Sequence, residues 1–308
     1  MDTLENMRIF VRVVEAGSFT AAAQSLNVNT SLVSRAVADL ERHLRARLLE
    51  RTTRKLALTH AGDRYLLRCQ QLLADLERAE EEASNASDSP RGTLRLFSFV
   101  SLGQHYVVPA IRAYRERYPE IKVELTQLQH TPDLYNGSVD VALVAAASLP
   151  DSDIISHDMG LTFNVLCASP DYLAQYGTPR TPDALPSHRC LLLKTPEFRA
   201  SQWRLEREGE AVSLEIDGIV QINVAESMAS ALESGMGIGM LPIYSAMPAL
   251  TRGTLVRVLP EYTLQPMHVY AMYASRQYVD AKTRTWIDFL RAWLPARIQD
   301  TARDLARF

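Results

Sequence analysis

Residues 18–58 read SFTAAAQSLNVNTSLVSRAVADLERHLRARLLERTTRKLAL, and this stretch decides the fold. Ser18 can cap a helix, and the Ala-rich run after it places Phe19, Ala22, Ala23 and Leu26 on one face at helical spacing. Asn27-Val28-Asn29 breaks that pattern, because asparagine both caps helices and tolerates tight turns. A second helix is predicted from about Thr30 to Leu44, with Val33, Val37, Leu40 and Leu44 on its buried stripe. The opposite face opens with Thr30, Ser31, Ser34 and Arg35, short hydroxyls and one forked cation. Such groups contact base edges and phosphates when the first turns of a recognition helix enter the major groove.

Arg47 to Leu58 then reads as two short strands around a Thr52-Thr53-Arg54 turn, a wing with cations at its tip. Residues 35–55 hold seven Lys or Arg against three acids, whereas the whole chain carries a net charge of −3. Basic charge is therefore local to the segment that would face a phosphate backbone, and Arg51, Thr53 and Arg54 join the candidate DNA contacts. A solvated charged surface on an ordinary helical hairpin would explain the helix pair alone. It does not explain the pair together with the basic wing and a supporting first helix.

That first helix is predicted over residues 3–16, with Leu4, Met7, Phe10 or Val11, and Val14 on its inner stripe. Beyond the wing, Thr59 caps a long helix to about Ser84. Leu66, Cys69, Leu73, Leu76 and Ala83 follow a three-four alternation along it, the pattern of a helix that pairs with a second copy of itself. Packing of the stripe on its own domain is the alternative. Pairing is favoured because the helix leads into a short polar hinge, 84–92, and has little domain to lie against.

The length of 308 residues implies more than one core, and 47% apolar with 22% charged residues excludes a disordered or fibrous chain. No basic-then-apolar leader opens the sequence and no run approaches the roughly 20 apolar residues that span a bilayer. A cytoplasmic protein without a membrane partner is expected. Cys69, Cys167 and Cys190 lack CxxC spacing and read as reduced, buried thiols, with redox sensing through Cys167 and Cys190 as the alternative. The seven histidines show no metal-ligand spacing, so neither a metal nor a cofactor is expected. Gly235-Met236-Gly237-Ile238-Gly239 lies between a helix and a strand, the reverse of a dinucleotide loop. A hydrolase or an exported solute-binding protein, the main rivals, would need a catalytic set or export signal and would leave the first 62 residues unexplained.

After Gly92 strands alternate with helices. Residues 93–97, 121–125 and 139–144 read as strands and 107–118 as a helix, which argues for a parallel sheet with helical crossovers. A second unit follows, with strands at 164–168, 190–193 and 238–241, helices at 170–176 and 226–233, and further strands between 203 and 220. A strand at 267–274 and a helix at 281–294 close the chain. In open sheets of this kind ligands lie beyond the carboxyl ends of strands. Ser98-Phe99-Val100-Ser101, Gln127 to His130, and Asn223-Val224-Ala225-Glu226 at the start of the later helix occupy such places, with Ser101 capping its own helix as the alternative at the first.

The run from Phe10 through Glu15-Ala16-Gly17-Ser18-Phe19-Thr20-Ala21-Ala22-Ala23, Val33-Ser34-Arg35, Leu40-Glu41, Leu48-Leu49-Glu50-Arg51-Thr52-Thr53-Arg54 and Ala61-Gly62 resembles the N-terminal domain of the LysR-type transcriptional regulators. The likeness covers the first 62 residues almost without gaps and continues more weakly to about residue 295. It implies a winged helix-turn-helix over 1–58, a linker helix and hinge over 59–89, and a two-lobed, periplasmic-binding-protein-like effector domain over 90–308. Lobe I would comprise about 90–162 and 267–308, and lobe II about 163–266. It further implies double-stranded DNA with a dyad-symmetric operator as partner, pairing through the linker helix into a homodimer, a homotetramer through the effector domains, and RNA polymerase as a further contact. A small-molecule effector would sit between the lobes at Ser98, Phe99, Ser101, Gln127, Gln129 and Asn223, and no enzyme activity is expected. Arg35 would meet a phosphate or a guanine edge, and Arg54 would lie in or near the minor groove. Two positions depart from the family pattern. Thr30 stands where many relatives carry Gln, and Asp140-Val141-Ala142 runs on into Leu143-Val144-Ala145 without the usual cation, which weakens the case for a carboxylate held there and permits an apolar or neutral aromatic ligand.

Overall fold

Three polar side chains fix the first helix starts of this computed structural model, which describes residues 2–51, 56–84, 90–136, 138–149, 153–196, 198–274 and 279–308, without the side chains of 51, 74, 77–84 and 136. Asp2 accepts from the amides of Leu4 and Glu5, Ser18 from that of Ala21 at 3.0 Å, and Asn29 from that of Leu32 at 2.8 Å. They open α1 (Thr3–Ala16), α2 (Phe19–Ser25) and α3 (Thr30–Leu44), each pairing an amide that a helix end leaves unpaired. Asn27, at φ 54°, makes the left-handed turn between α2 and α3. Strands β1 (Leu49–Arg51) and β2 (Leu56–Leu58) pair antiparallel as the stem of the wing. The Thr59 hydroxyl then donates to the Arg47 carbonyl and accepts from the Gly62 amide, starting α4 (His60–Ser84).

One buried cluster unites these elements: Ile9, Phe10, Val13, Ala22, Val33, Val37, Leu40, Leu48 and Cys69. Two sequence expectations are corrected here. On α1, Phe10 and Val11 are buried and Met7 and Val14 pack half-buried on the cluster as expected, but Ile9 and Val13 complete the inner face and Leu4 is 42% exposed. The α4 stripe serves its own domain first, since Cys69 is fully buried and Leu66 and Leu73 pack on the same cluster. Leu67 and Leu72, 63% and 51% exposed, are the large apolar side chains that α4 turns outward among the described residues.

Two compact units divide the chain, Met1–Ala86 with Asn136–Ser138, and Ser87–Tyr135 with Val139–Phe308. In the second, β3 (Gly92–Ser98) runs into α5 (Val100–Leu102), a π turn over Gly103–Val107, and α6 (Val108–Arg117). Strands β4 (Ile121–Gln127) and β5 (Val141–Ala146) flank β3 and run parallel to it. The chain continues through β6 (Ile154–Ala168), α7 (Pro170–Tyr176), β7 (Cys190–Leu193), the hairpin β8 (Gln202–Arg207) and β9 (Glu210–Glu215), and β10 (Gly218–Ile222). It closes with α8 (Ala225–Glu233), β11 (Ile238–Pro242), α9 (Ile243–Arg252), β12 (Val256–Val258), β13 (Thr263–Ala274) and α10 (Ala281–Leu305).

The sheet order is β10-β7-β11-β6-β13-β5-β3-β4. Strands β6 and β13 are long and pair with each other antiparallel, so one end of the pair belongs to the β4-β3-β5 lobe and the other to the β11-β7-β10 lobe. The crossing carries two backbone irregularities: Gly160 at φ 134°, a conformation that favours glycine, and Gln265 at φ 48°. Each lobe has its own core. Leu96, Val107, Tyr114, Val141, Trp286 and Leu290 lie in the first, and Leu166, Leu191, Trp203, Met228, Leu241 and Leu264 in the second.

Helix α10 runs eleven residues past the expected end at Leu294, through Pro295. Ile298 and Leu305 are buried, the latter in the second core, and this tertiary packing outweighs the hydrogen bond that proline removes. Helix α9 and the first half of β6 carried no expectation from the sequence.

Candidate functional site

The surface of α3 is built from the cap outward. Asn29 Oδ1 accepts both the Leu32 amide and, at 2.7 Å, the Ser31 hydroxyl, which fixes the first turn. Thr30, Ser31 and Arg35 are exposed on that turn and the next, while Ser34 is half-buried against the domain. Val28 and Leu32, 38% and 44% exposed, stand among them. Sequence reading missed both because an apolar residue is assigned to the core by default, and only the position of the buried stripe shows that they lie off it. Arg51 ends β1, and Thr53 and Arg54 lie outside the described residues.

Behind this surface, Glu41 joins helix to wing. It is 6% exposed and accepts the amides of Leu48 and Leu49 at 2.9 and 3.2 Å and the Arg47 guanidinium at 2.8 Å. Burial alone would raise its pKa, but those donors hold it below the ordinary value. Arg42 likewise pairs with Asp39, so the local positive charge of this face is partly spent inside the domain.

In the second unit, a cavity of about 50 Å³ lies between the two lobes. Phe99, Ser101 and Gln129 approach from the first lobe, and Thr195, Asn223 and Tyr244 from the second, with Asn164 on the crossing strand. The lobes are tied at its mouth. Gln129 Nε2 donates to the Asn223 carbonyl at 2.6 Å, and the Ser101 hydroxyl donates to Glu226 Oε2 at 2.7 Å. The π turn aims His105 at the same carboxylate, Nε2 to Oε1 being 3.3 Å, and the Ser245 hydroxyl donates to it at 3.1 Å. Burial would raise the Glu226 pKa, but His105, Ser101 and Ser245 together hold it below the ordinary carboxylate value.

Of the residues expected at the cleft, Phe99, Ser101, Gln129 and Asn223 line it. Ser98 and Gln127 do not. Ser98 is fully buried beneath Gly103, where a Cβ would come within 2.2 Å of its Oγ and 2.1 Å of Gln127 Nε2. Gln127 donates to the Val100 carbonyl at 3.1 Å and so holds the strand-to-helix turn rather than a ligand. Glu226 closes the expected segment 223–226 without having been singled out from it, and Asn164 and Tyr244 were missed: a polar residue inside a strand and a tyrosine on a helix have commoner structural uses.

Cys167 and Cys190 are fully buried, and burial pushes their thiols up to about 12 and about 11. Both flank β11, opposite Gly239 and Ile238, which separates them by two strand spacings of roughly 4.8 Å each. That exceeds the ~7 Å reach of a disulfide, so the two thiols cannot bridge each other in this arrangement. Among the described residues no cluster of His, Cys, Asp and Glu could hold a metal ion, and no helix is long and apolar enough to cross a membrane.

Residues 4–63 match the model of the lysR-family bacterial regulatory helix-turn-helix protein, and residues 87–295 match that of the LysR substrate binding domain. An HTH-type transcriptional regulator of Xanthomonas campestris is 35% identical over 93% of this chain and 84% of its own length. DmlR, an HTH-type transcriptional regulator of Escherichia coli, is 31% identical over 94% of each. Among solved structures, the full-length Vibrio cholerae virulence activator AphB superposes with TM-score 0.65 at 30% identity, covering 94% of this chain and 99% of AphB. The LysR-type regulator CrgA of Neisseria meningitidis gives 0.60 at 34%, covering 94% and 98%.

Proposed function

This chain belongs to the LysR family of bacterial transcriptional regulators, DNA-binding proteins with a C-terminal effector-binding domain, and on that premise we propose how its residues divide the work. Thr30, Ser31 and Arg35 meet bases and phosphates of a dyad-symmetric operator, with Val28 and Leu32 against thymine methyl groups. The observation that carries this is the exposed first turn of α3, pinned by Asn29 and backed by the buried Val33, Val37 and Leu40. Arg51, Thr53 and Arg54 supply the wing contacts.

Two copies pair along α4 through its outward leucines, Leu67 and Leu72, in place of the stripe already used within the domain. Effector domains join two dimers into a tetramer, which places recognition helices at half-sites about one helical turn (~34 Å) apart. A small-molecule effector enters the cavity between the lobes at Phe99, Ser101, Gln129 and Asn223, and its differential affinity for closed and open lobes biases the arrangement on DNA. The protein acts in the cytoplasm, contacts RNA polymerase from the operator, needs no cofactor and catalyses no reaction.

Footprinting of the purified protein on the DNA upstream of its own gene, with a panel of small metabolites, tests this reading. Protection over several helical turns that shifts with one compound is the expected result. Absence of protection there and upstream of neighbouring genes would overturn it.

A further inference from the structure

We propose that the cavity between the lobes takes a small uncharged molecule bearing a hydrogen-bond donor, of the primary amide or alcohol class, and that Asn164 receives that donor; this rests on reading the cavity as the effector site. Asn164 is 2% exposed and lines the cavity, and its Oδ1 has no hydrogen-bond partner among the described residues. Its orientation is set from behind. Gln265 Nε2 donates to the Gln202 carbonyl at 3.1 Å, which turns Gln265 Oε1 toward Asn164 Nδ2 at 3.5 Å. The amide nitrogen of Asn164 therefore faces Gln265 and its oxygen faces away. Thr195 Oγ1, on the same cavity wall, is a second buried polar atom without a partner among the described residues. A buried acceptor left without a donor is costly, and a ligand that supplies one removes the cost.

Charge excludes the obvious competitor. None of the described residues lining the cavity is cationic. Lys194 is exposed in the outer recess that shares Gln129, Thr195 and Asn223, and the Glu226 carboxylate stands directly behind Ser101. A carboxylate ligand would lose its water, gain no countercharge and lie close to Glu226. Size sets the other limit. About 50 Å³ holds roughly three to five waters, so the donor-bearing end that enters beside Asn164 is small, with Phe99, Tyr244 and Met267 as apolar walls, while the adjoining recess of about 400 Å³ has room for the rest of a larger molecule.

The test titrates the full-length protein with matched panels, acetamide, propionamide and short alcohols against acetate, propionate and short hydroxy acids, reading the shift in unfolding midpoint. Wild type, Asn164→Leu, Asn164→Ser and Lys194→Met are compared. An amide or alcohol that raises the wild-type midpoint, binds at least about tenfold more weakly to either Asn164 variant and is indifferent to Lys194→Met supports the proposal. A carboxylate that binds best, through Lys194, overturns the ligand class and leaves the cavity as the effector site. Equal binding to wild type and both Asn164 variants overturns the role of Asn164, and no shift from either panel overturns the proposal entirely. The upstream footprint, repeated in the same buffer, reports separately on whether the regulator reading stands.

Discussion

The Ser101 hydroxyl, on the first lobe, donates to Glu226 Oε2, on the second, at 2.7 Å. The bond spans the cleft, and the other oxygen of the same carboxylate, Oε1, meets His105 and Ser245, so one carboxylate fastens three helical segments. Closure of the lobes is thus written into side chains at the rim of the cavity, before any ligand is considered.

Glu226→Gln should loosen this fastening by about 1–2 kcal/mol, since a charge-assisted acceptor becomes a neutral one. The folded-state pKa of Glu226 lies below its ordinary 4.5, so its contribution is fully present above that value and is lost as pH falls through the depressed one. The difference in unfolding midpoint between wild type and Glu226→Gln should therefore be constant near neutrality and shrink below about pH 4.5. A difference that persists unchanged in acid would assign it to packing instead.

Glu41→Ala should destabilise the first unit by about 2–3 kcal/mol, because the buried amides of Leu48 and Leu49 lose their acceptor. Operator affinity should fall with stability and recover on cooling. Urea unfolding followed alongside gel shift at two temperatures checks this; full stability with lost binding would place Glu41 at the DNA instead.

On α3, two substitutions should part in kind. Arg35→Ala should weaken binding to all sequences and lower the salt slope by about one ion. Leu32→Ala should leave the slope unchanged and relax preference at one A·T position by about 1 kcal/mol. Binding measured across salt concentrations and an operator library separates the two, and a slope altered equally by both would refute the division.

Paired Cys167→Ala and Cys190→Ala substitution should leave the response of the footprint to peroxide as it is in wild type, and native thiol titration should show both sulfurs unreactive until the protein unfolds. Rapid labelling of either in the folded state would contradict their burial.

What the sequence disclosed followed how locally each feature is encoded. Ser18, Asn29 and Thr59 cap helices through neighbours two or three residues away, so their patterns sufficed. The inward face of α1 could not be told from Leu4 or Ile9 alone, since it depends on where α3 and α4 lie. The apolar pattern of α10 is legible only to Leu294, because the burial of Ile298 and Leu305 that carries the helix on through Pro295 depends on distant packing. At the cleft, Phe99, Ser101, Gln129 and Asn223 were found by their places after strands and before helices. Ser98 sat one pleat too deep, and Asn164 acts through Gln265, 101 residues away.

The paired crossing strands also fix the kind of movement that a ligand can elicit. Two strands laced together by backbone hydrogen bonds from Ile154–Ala274 to Asn164–Leu264 resist sliding past one another but yield readily to torsion. A swivel about this common spindle is therefore the motion expected of the lobes, with the irregular backbone at Gly160 and Gln265 as the places where the pairing is least regular. Displacement then grows with distance from the spindle, so that an ångström of give beside Asn164 becomes a wide arc at the far edges, β4 and β10.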